Sequence, residues 1–307
     1  MSTMYYLIVG GGGGGGTGYG GGGGAGGYRA FSEDLTVDTY PVVIGAGGAG
    51  STTTDRGVNG NLSSFNGYES AGGGGGGSYD SGKQGGLDGG SGGGASAYGI
   101  NSGTGGDGNT PVTSPVQGYN GGNAAFDWQQ HQKAGGGGGA SEVGEAGSNV
   151  TAVSGAGGDG EEWLNGTTYA GGGGGGGRQN YADPGAGGAG GGGGGSKLST
   201  GTSGTANTGG GGGGGGYYLT YCCGGAGGSG VVLIRYLTAD YGTCIGGTKT
   251  VDGSYTIHTF TSSGDFVVEA AGGWSNIAKY NGVAVADIAK INGVAVADIA
   301  KINGVAV

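Results

Sequence analysis

The residues able to carry chemistry are few and scattered. There are two histidines, His131 and His258, and three cysteines, Cys222, Cys223 and Cys244. A zinc hydrolase needs two histidines one helical turn apart, and a structural zinc site needs paired Cys-x-x-Cys spacings. Neither occurs. An odd cysteine count with two neighbours adjacent is no disulfide framework, so the thiols are expected to be buried or incidental. The segments Gly105–Gly108 and Gly157–Gly160 both read Gly-Gly-Asp-Gly. A calcium loop would require such carboxylates in tandem at fixed spacing, and Asp107 and Asp159 stand alone. Phosphate loops close on Gly-Lys-Ser/Thr; Gly82-Lys83-Gln84 and Ser196-Lys197-Leu198 do not. Matches to Gly-x-Gly-x-x-Gly abound, but any glycine run supplies them. No catalytic residue, metal ligand or cofactor is expected, and the chain does not read as an enzyme.

Chemistry of recognition is better represented. The chain holds 18 tyrosines against 5 phenylalanines. Tyrosine gives rigid amphipathic contact area at low entropy cost, which suits binding loops. Between the glycine runs lie loops of mixed composition. The longest, residues 109–134, carries Tyr119, Phe126, Trp128 and His131. Residues 159–170 carry Trp163 and Tyr169, and residues 178–184 carry Tyr181. These seven are the candidate receptor-binding residues, with Trp128 and Trp163 expected to be exposed. Tyr19, Tyr28, Tyr79, Tyr217 and Tyr218 sit at run edges, where they either seal the glycine segments or join the binding surface. With 21 acidic and 11 basic residues, the charge balance argues against a nucleic-acid partner.

The elements that hold these loops follow from composition. Glycine fills 97 of 307 positions, with only 4 prolines and no Gly-X-Y period, so collagen is excluded. Leu, Ile, Val and Phe concentrate at the ends: 23 of them lie in residues 231–307, and only two lie between 171 and 230. No hydrophobic core can form in the middle at about 25 cal/mol per Å² of buried apolar area. The glycines form separate runs at residues 10–16, 20–24, 72–77, 135–139, 171–177, 190–195 and 209–216. In an extended helix of three residues per turn, peptide groups point outward and have no internal partners. Without Cβ atoms such helices can approach closely and bond to one another. A polyglycine II lattice is therefore expected, with amides of 171–177 and 209–216 protected from exchange. Ordering a residue costs roughly 1–2 kcal/mol, so the lattice needs a frame.

Strands are read at residues 5–9, 36–44, 230–236, 249–251, 255–260 and 266–269. The last three form an antiparallel meander turning at 252–254 and 262–265. The C-terminus repeats KINGVAVADIA with a period of 11 residues. Asn-Gly in each repeat marks a tight turn between short strands, so a β-type repeat is preferred to a helical coiled coil. Its Val283, Val285, Ile288, Ile291, Val294, Val296, Ile299 and Ile302 are the candidate oligomerisation or attachment residues. The expected fold is all-β with irregular structure. Residues 1–238 form the glycine lattice with framing strands, 239–273 a β-meander completing the frame, and 274–307 the repeat segment. The longest clean apolar stretches are about five residues, against the ~20 of a membrane helix; no membrane insertion is expected, and the N-terminus lacks a signal peptide's basic region.

The strand YLIV running into GGGGGGG, the later VIGAGGAG, the repeated glycine blocks and the closing GGSGVVLIRY together resemble the glycine-rich domain of bacteriophage structural proteins. The YTIHTFTSSGDF segment also resembles part of that module, where it usually precedes the YLIV strand. Here it follows the glycine region, which leaves pairing onto residues 5–9 or onto a neighbouring subunit open. The arrangement is similar to the adhesins at the tips of long tail fibres of T-even-like phages; glycine-rich regions of animal receptor kinases are a more distant likeness. The resemblance implies a non-enzymatic virion surface protein, extracellular, with receptor-binding loops on a polyglycine scaffold. Its implied partners are other virion proteins of fibre or capsid and a host-surface protein or glycan, in a homo-oligomer such as a trimer. A capsid decoration or head-fibre protein without a receptor, and a cellular surface-matrix or filament-forming protein, stay open as alternatives.

Overall fold

The computed structural model describes residues 3–98, 101–126, 132–218, 220–241 and 243–269, together with short paired segments between 279 and 306. Ten strands make the frame. They are β1 (Met4–Val9), β2 (Tyr28–Glu33), β3 (Asp38–Val43), β4 (Ser63–Phe65), β5 (Tyr68–Ser70), β6 (Val231–Leu237), β7 (Cys244–Ile245), β8 (Thr248–Asp252), β9 (Tyr255–Phe260) and β10 (Gly264–Val268). Two five-stranded antiparallel sheets result, in the orders β8-β9-β6-β1-β2 and β7-β10-β3-β4-β5. Met4, Tyr6 and Ile8 of β1 and Val232, Ile234 and Tyr236 of β6 pack against Val42, Phe65, Phe266 and Val268 of the second sheet. The alternate residues Leu7, Val9, Val231 and Leu233 are buried on the other side, against Trp163, Tyr169 and Ala170. Burial on both faces explains why β1 and β6 read as continuous apolar runs rather than alternating ones.

Two expectations about the frame are corrected. Strand β9 pairs with β6 and β8, so it reaches neither β1 nor a neighbouring subunit. The expected three-stranded meander is broken: β10 leaves β9 at the Thr261–Ser262 bend and pairs with β3 in the opposite sheet. Residues 55–70 form a lattice segment followed by the hairpin β4-β5. Asn66 (φ 50°) and Gly67 (φ 75°) form its turn, the geometry that Asn-Gly favours. With β7 to β10 woven into both sheets, residues 239–269 are part of the same frame as the strands before them.

His258 of β9 is a core residue. Its ring stacks on Tyr236 and meets Phe266 edge-on. Nδ1 lies 2.7 Å from the Gly246 carbonyl oxygen, which can only accept, and Nε2 lies 3.0 Å from the Tyr236 hydroxyl. The ring is therefore neutral, donating through Nδ1 and accepting through Nε2. Burial holds its pKa below the usual histidine value, against the pull of the Gly246 carbonyl. The unfolded chain binds this proton more readily than the folded one, so stability is complete above about pH 6.5 and falls as the pH drops below it. Melting curves between pH 7.5 and 5 are expected to show that fall, and His258→Leu is expected to flatten it.

The glycine runs form the expected lattice. N–H groups of Gly10, Gly13 and Gly16 donate to carbonyls of Gly27, Gly24 and Gly21; those of Gly11 and Gly14 go to Asn61 and Val58, and those of Gly12 and Gly15 to Gly228 and Gly225. Carbonyls of Gly11 and Gly14 accept from Gly73 and Gly76, those of Gly12 and Gly15 from Gly48 and Ser51, and those of Gly13 and Gly16 from Gly212 and Gly215. Each partner returns every third residue and no bond closes within the run, which defines a threefold extended helix of polyglycine II type. Six neighbours surround it, three antiparallel and three parallel. Residues 20–27, 91–96, 135–139, 171–177 and 209–216 are likewise each bonded to six neighbouring segments.

Edge segments obey a different rule. In residues 45–50 (GAGGAG), Ala46 and Ala49 are exposed while Gly45 and Gly48 are buried. Ala186 and Ala189 repeat that pattern, and Thr104 and Asp107 do so in another edge segment. One residue in three faces solvent and tolerates a side chain. Some edge side chains also replace missing lattice carbonyls: Oδ1 of Asn59, Asn120 and Asn123 accepts from the N–H groups of Gly75, Gly108 and Gly105. Asp159 Oδ1 accepts from Ala189 N–H, and Asp88 Oδ1 from Asp107 N–H. The two Gly-Gly-Asp-Gly segments are thus lattice edges, and the described residues hold no group of three or more metal-ligating side chains.

Candidate recognition surface

Residues 10–16, 72–77, 91–96, 171–177 and 209–216 run parallel, judged from the ascending order of their partners. All lead away from the frame, so the segments that follow them share the far end of the lattice. Residues 20–27 and 135–139 return in the opposite direction. Among the described residues, the far end therefore collects 17–19, 78–84, 97–98, 101–102, 125–126, 132–133, 178–183, 217–218 and 220–222, and the frame end collects 109–117 and 161–169.

A phenol cluster covers the far end. Tyr19 meets Tyr79 edge-on with centroids 5.0 Å apart and lies 5.1 Å from Tyr217. Tyr79 in turn lies 5.0 Å from Tyr98 and stacks on Tyr221 at 5.0 Å. The Tyr19 turn is set by positive φ at Gly18 and at Tyr19 itself, which drives the ring under its neighbours. Tyr19 is 3% exposed, whereas Tyr98, Tyr181 and Tyr221 are 37%, 44% and 45% exposed. The Arg178 guanidinium lies 4.7 Å from the Tyr181 ring centroid and 5.5 Å from that of Tyr19, within cation–π range, and Nη1 donates to Gln132 Oε1. Burial raises the Tyr19 pKa, against the pull of Arg178. Burial together with the neighbouring phenols pushes Tyr221 up to about 12. Tyr19 and Tyr221 are therefore neutral phenols at physiological pH. Lys83 pairs with Asp55 and Lys197 with Asp183 beside them.

The seven candidate residues separate. Tyr181 stands exposed at the far end, and Phe126 is half-buried there in a short pairing with Gln132. Trp128 and His131 lie outside the described residues. Trp163 and Tyr169 belong to the frame end and are 5% and 7% exposed. The expected exposure of Trp163 is overturned because its loop folds back over the outer face of β1 and β6. Tyr119 is exposed, on an edge segment near the frame. Residues 109–134 are accordingly no single loop. They comprise a frame-end loop, the lattice edge 118–124 and the far-end pairing of Ala125–Phe126 with Gln132–Lys133.

Of the run-edge tyrosines, Tyr19, Tyr79 and Tyr217 seal the far end, and Tyr28 seals the frame end, its hydroxyl donating to the Glu162 carbonyl; the side chain of Tyr218 lies outside the described residues. Sequence reasoning missed Tyr98, Tyr221 and Arg178 as site residues. The available signal was position: Arg178 directly follows the run 171–177, and Tyr98 and Tyr221 lie within five residues of Gly94 and Gly216. Cys223 and Cys244 are free thiols, and burial pushes the Cys244 thiol up. In the tail, Lys279–Tyr280, Lys290–Ile291 and Lys301–Ile302 each pair with the strand beyond their Asn-Gly, namely Val283–Ala284, Val294–Ala295 and Val305–Ala306. These pairs contain Val283, Ile291, Val294 and Ile302; Val285, Ile288, Val296 and Ile299 lie outside the described residues.

A frame of two sheets, a core made of peptide groups and a ring-capped end define a scaffold class in which the interior carries almost no side-chain information. Residues 1–237 match the family described as glycine-rich domain, and the chain belongs to it. Neither a curated protein nor a solved structure matches it.

Proposed function

We propose that this chain is a non-enzymatic bacteriophage virion protein, a tail-fibre or adhesin component, that presents its far-end loops to a host-surface protein or glycan. The observation that carries this reading is the far-end phenol cluster, rooted in turns between six-neighbour glycine helices. Rigid aromatic side chains lose little entropy on binding, and the lattice beneath them holds their backbones in fixed positions. The YLIV strand, the glycine blocks and the closing GGSGVVLIRY, which resemble those of phage glycine-rich modules although the YTIHTFTSSGDF segment is permuted, support a place on the virion surface. The C-terminal hairpins supply the attachment or homo-oligomerisation element: a two-stranded hairpin is marginal alone, so three in succession call for a partner. No cofactor enters this function.

The test uses particles that carry the protein. Replacing Tyr98, Tyr181 and Tyr221 together by alanine is expected to cut host adsorption at least tenfold while leaving the melting temperature within a few degrees. Deleting residues 275–307 is expected to abolish incorporation into particles. Unchanged adsorption with the triple variant would favour the decoration or head-fibre reading. Incorporation of the truncated chain would remove the attachment role from the tail.

A further inference from the structure

A groove of about 1010 Å³ runs along the flank of the molecule near the frame, apart from the phenol cluster. Its lining includes Arg29, Asn59, Asn61, Tyr68, Glu69 and Asp88. Arg29 belongs to β2. Its Nη1 donates to the Glu69 carbonyl at 2.8 Å and its Nη2 to the Ser114 carbonyl at 3.3 Å. The guanidinium lies 4.8 Å from the Phe31 centroid and 5.9 Å from that of Tyr68. It thus contacts two rings and two neutral carbonyls, and no carboxylate lies within ion-pair distance of it among the described residues. Its Nε is buried without a partner, and burial pulls its pKa down. A guanidinium has five N–H donors; two are used and one is buried, which leaves one on each Nη. Two donors on adjacent nitrogens match the two oxygens of a carboxylate.

The rest of the groove restricts what carries that carboxylate. Glu69 and Asp88 also line it, so a polyanion such as nucleic acid would meet repulsion and find one cation where it needs several. Asn61 and Leu62 are exposed on its rim. Asn59 and Asp88 are engaged by lattice peptide groups and the Tyr68 hydroxyl by Glu33, which leaves the exposed Asn61 amide and Glu69 carboxylate to accept from and donate to hydroxyls. We propose that this groove is a binding site for an acidic saccharide of the uronic-acid type, with the sugar carboxylate on Arg29 and the hydroxyls on the amide and carboxylate side chains. The site is distinct from the far-end surface and stands or falls separately from it.

Calorimetric titration of the full-length protein with a galactose disaccharide carrying a single galacturonate residue, with the matching neutral galactose disaccharide and with acetate tests the idea. Binding of the singly charged acidic disaccharide is expected, with the neutral disaccharide and acetate at least tenfold weaker. Arg29→Gln is expected to lose at least tenfold in affinity. Because Arg29 also holds the 109–117 loop, Asn61→Trp serves as a second variant: it obstructs the groove from an exposed rim position and is expected to lose binding at unchanged melting temperature. Tyr221→Ala, at the far end, is expected to bind as the parent does. No heat at millimolar acidic disaccharide, equal binding of the neutral disaccharide or of acetate, or full binding by Asn61→Trp would each overturn the proposal.

Discussion

Gly173→Ala is expected to lower the melting temperature by ten degrees or more, or to prevent folding, whereas Gly194→Ala is expected to leave it nearly unchanged. Gly173 lies in a six-neighbour helix, donating to the Gly23 carbonyl and accepting from Gly137 N–H. A Cβ built there would sit 2.1 Å from the Gly212 carbonyl oxygen and 2.6 Å from its carbon. The obstacle is backbone, so no rotamer change relieves it. The helices must separate, and the peptide bonds on that side lengthen. Overpacking of this kind costs roughly 1–3 kcal/mol, and each buried peptide group left unpaired adds about 1–3 kcal/mol more, against a total stability of order 5–15 kcal/mol. Gly194 belongs to an equally pure run, but its run lies at the lattice edge; the nearest atom to its Cβ would be Gly187 N, at 4.0 Å. Thermal unfolding of the two variants in parallel separates the lattice effect from helix propensity. Equal melting temperatures would show that the peptide lattice does not limit stability.

Truncation after Leu237, the end of the family match, is expected to abolish folding, while truncation at residue 274 is expected to leave folding intact. The strands beyond Leu237 are not an appendage. β9 covers one edge of β6, and β10 covers one edge of β3. Removing them strips Cys244, Ile257, His258, Phe260, Phe266 and Val268 from the buried set. Loss of a single buried phenylalanine costs about 3–5 kcal/mol, so Phe260 and Phe266 alone account for most of a typical domain's stability. Solubility and heteronuclear NMR dispersion of the two truncated chains are the measurements. A well-dispersed spectrum from residues 1–237 would mean the lattice frames itself.

Much of the architecture was legible because the lattice leaves a compositional trace. Pure runs mark interior helices at 10–16, 20–24, 135–139, 171–177 and 209–216, since any side chain there meets a carbonyl; 190–195, equally pure, lies at the edge. The strands 5–9 and 255–260 were readable from apolar and β-branched content. What escaped were features decided by pairing between distant segments. β10 has the pattern of a third meander strand, and only the Thr261–Ser262 bend and the partner β3 send it to the other sheet. β2 (YRAFSE) is an edge strand whose polar residues disguise it. Trp163 looked like a loop residue because its loop is polar; the apolar face it covers belongs to β1 and β6, far away in sequence. The far-end surface was half legible: tyrosines at run edges were visible, but which of the two ends each would occupy depends on helix direction, and that is set only when the bonding partners are known.

The three-residue phase of the bonding has a consequence for how such a chain can change length. Inserting one or two residues into an interior run turns every later peptide group by a third or two thirds of a revolution, away from its partner. Inserting three restores the phase and adds one turn, about 9 Å at 3.1 Å per residue. The thickness of the slab is therefore quantised, and its helices must be lengthened together. The turns at either end carry no such restriction. They can lengthen, shorten or exchange one residue at a time while the phase beneath them stays fixed.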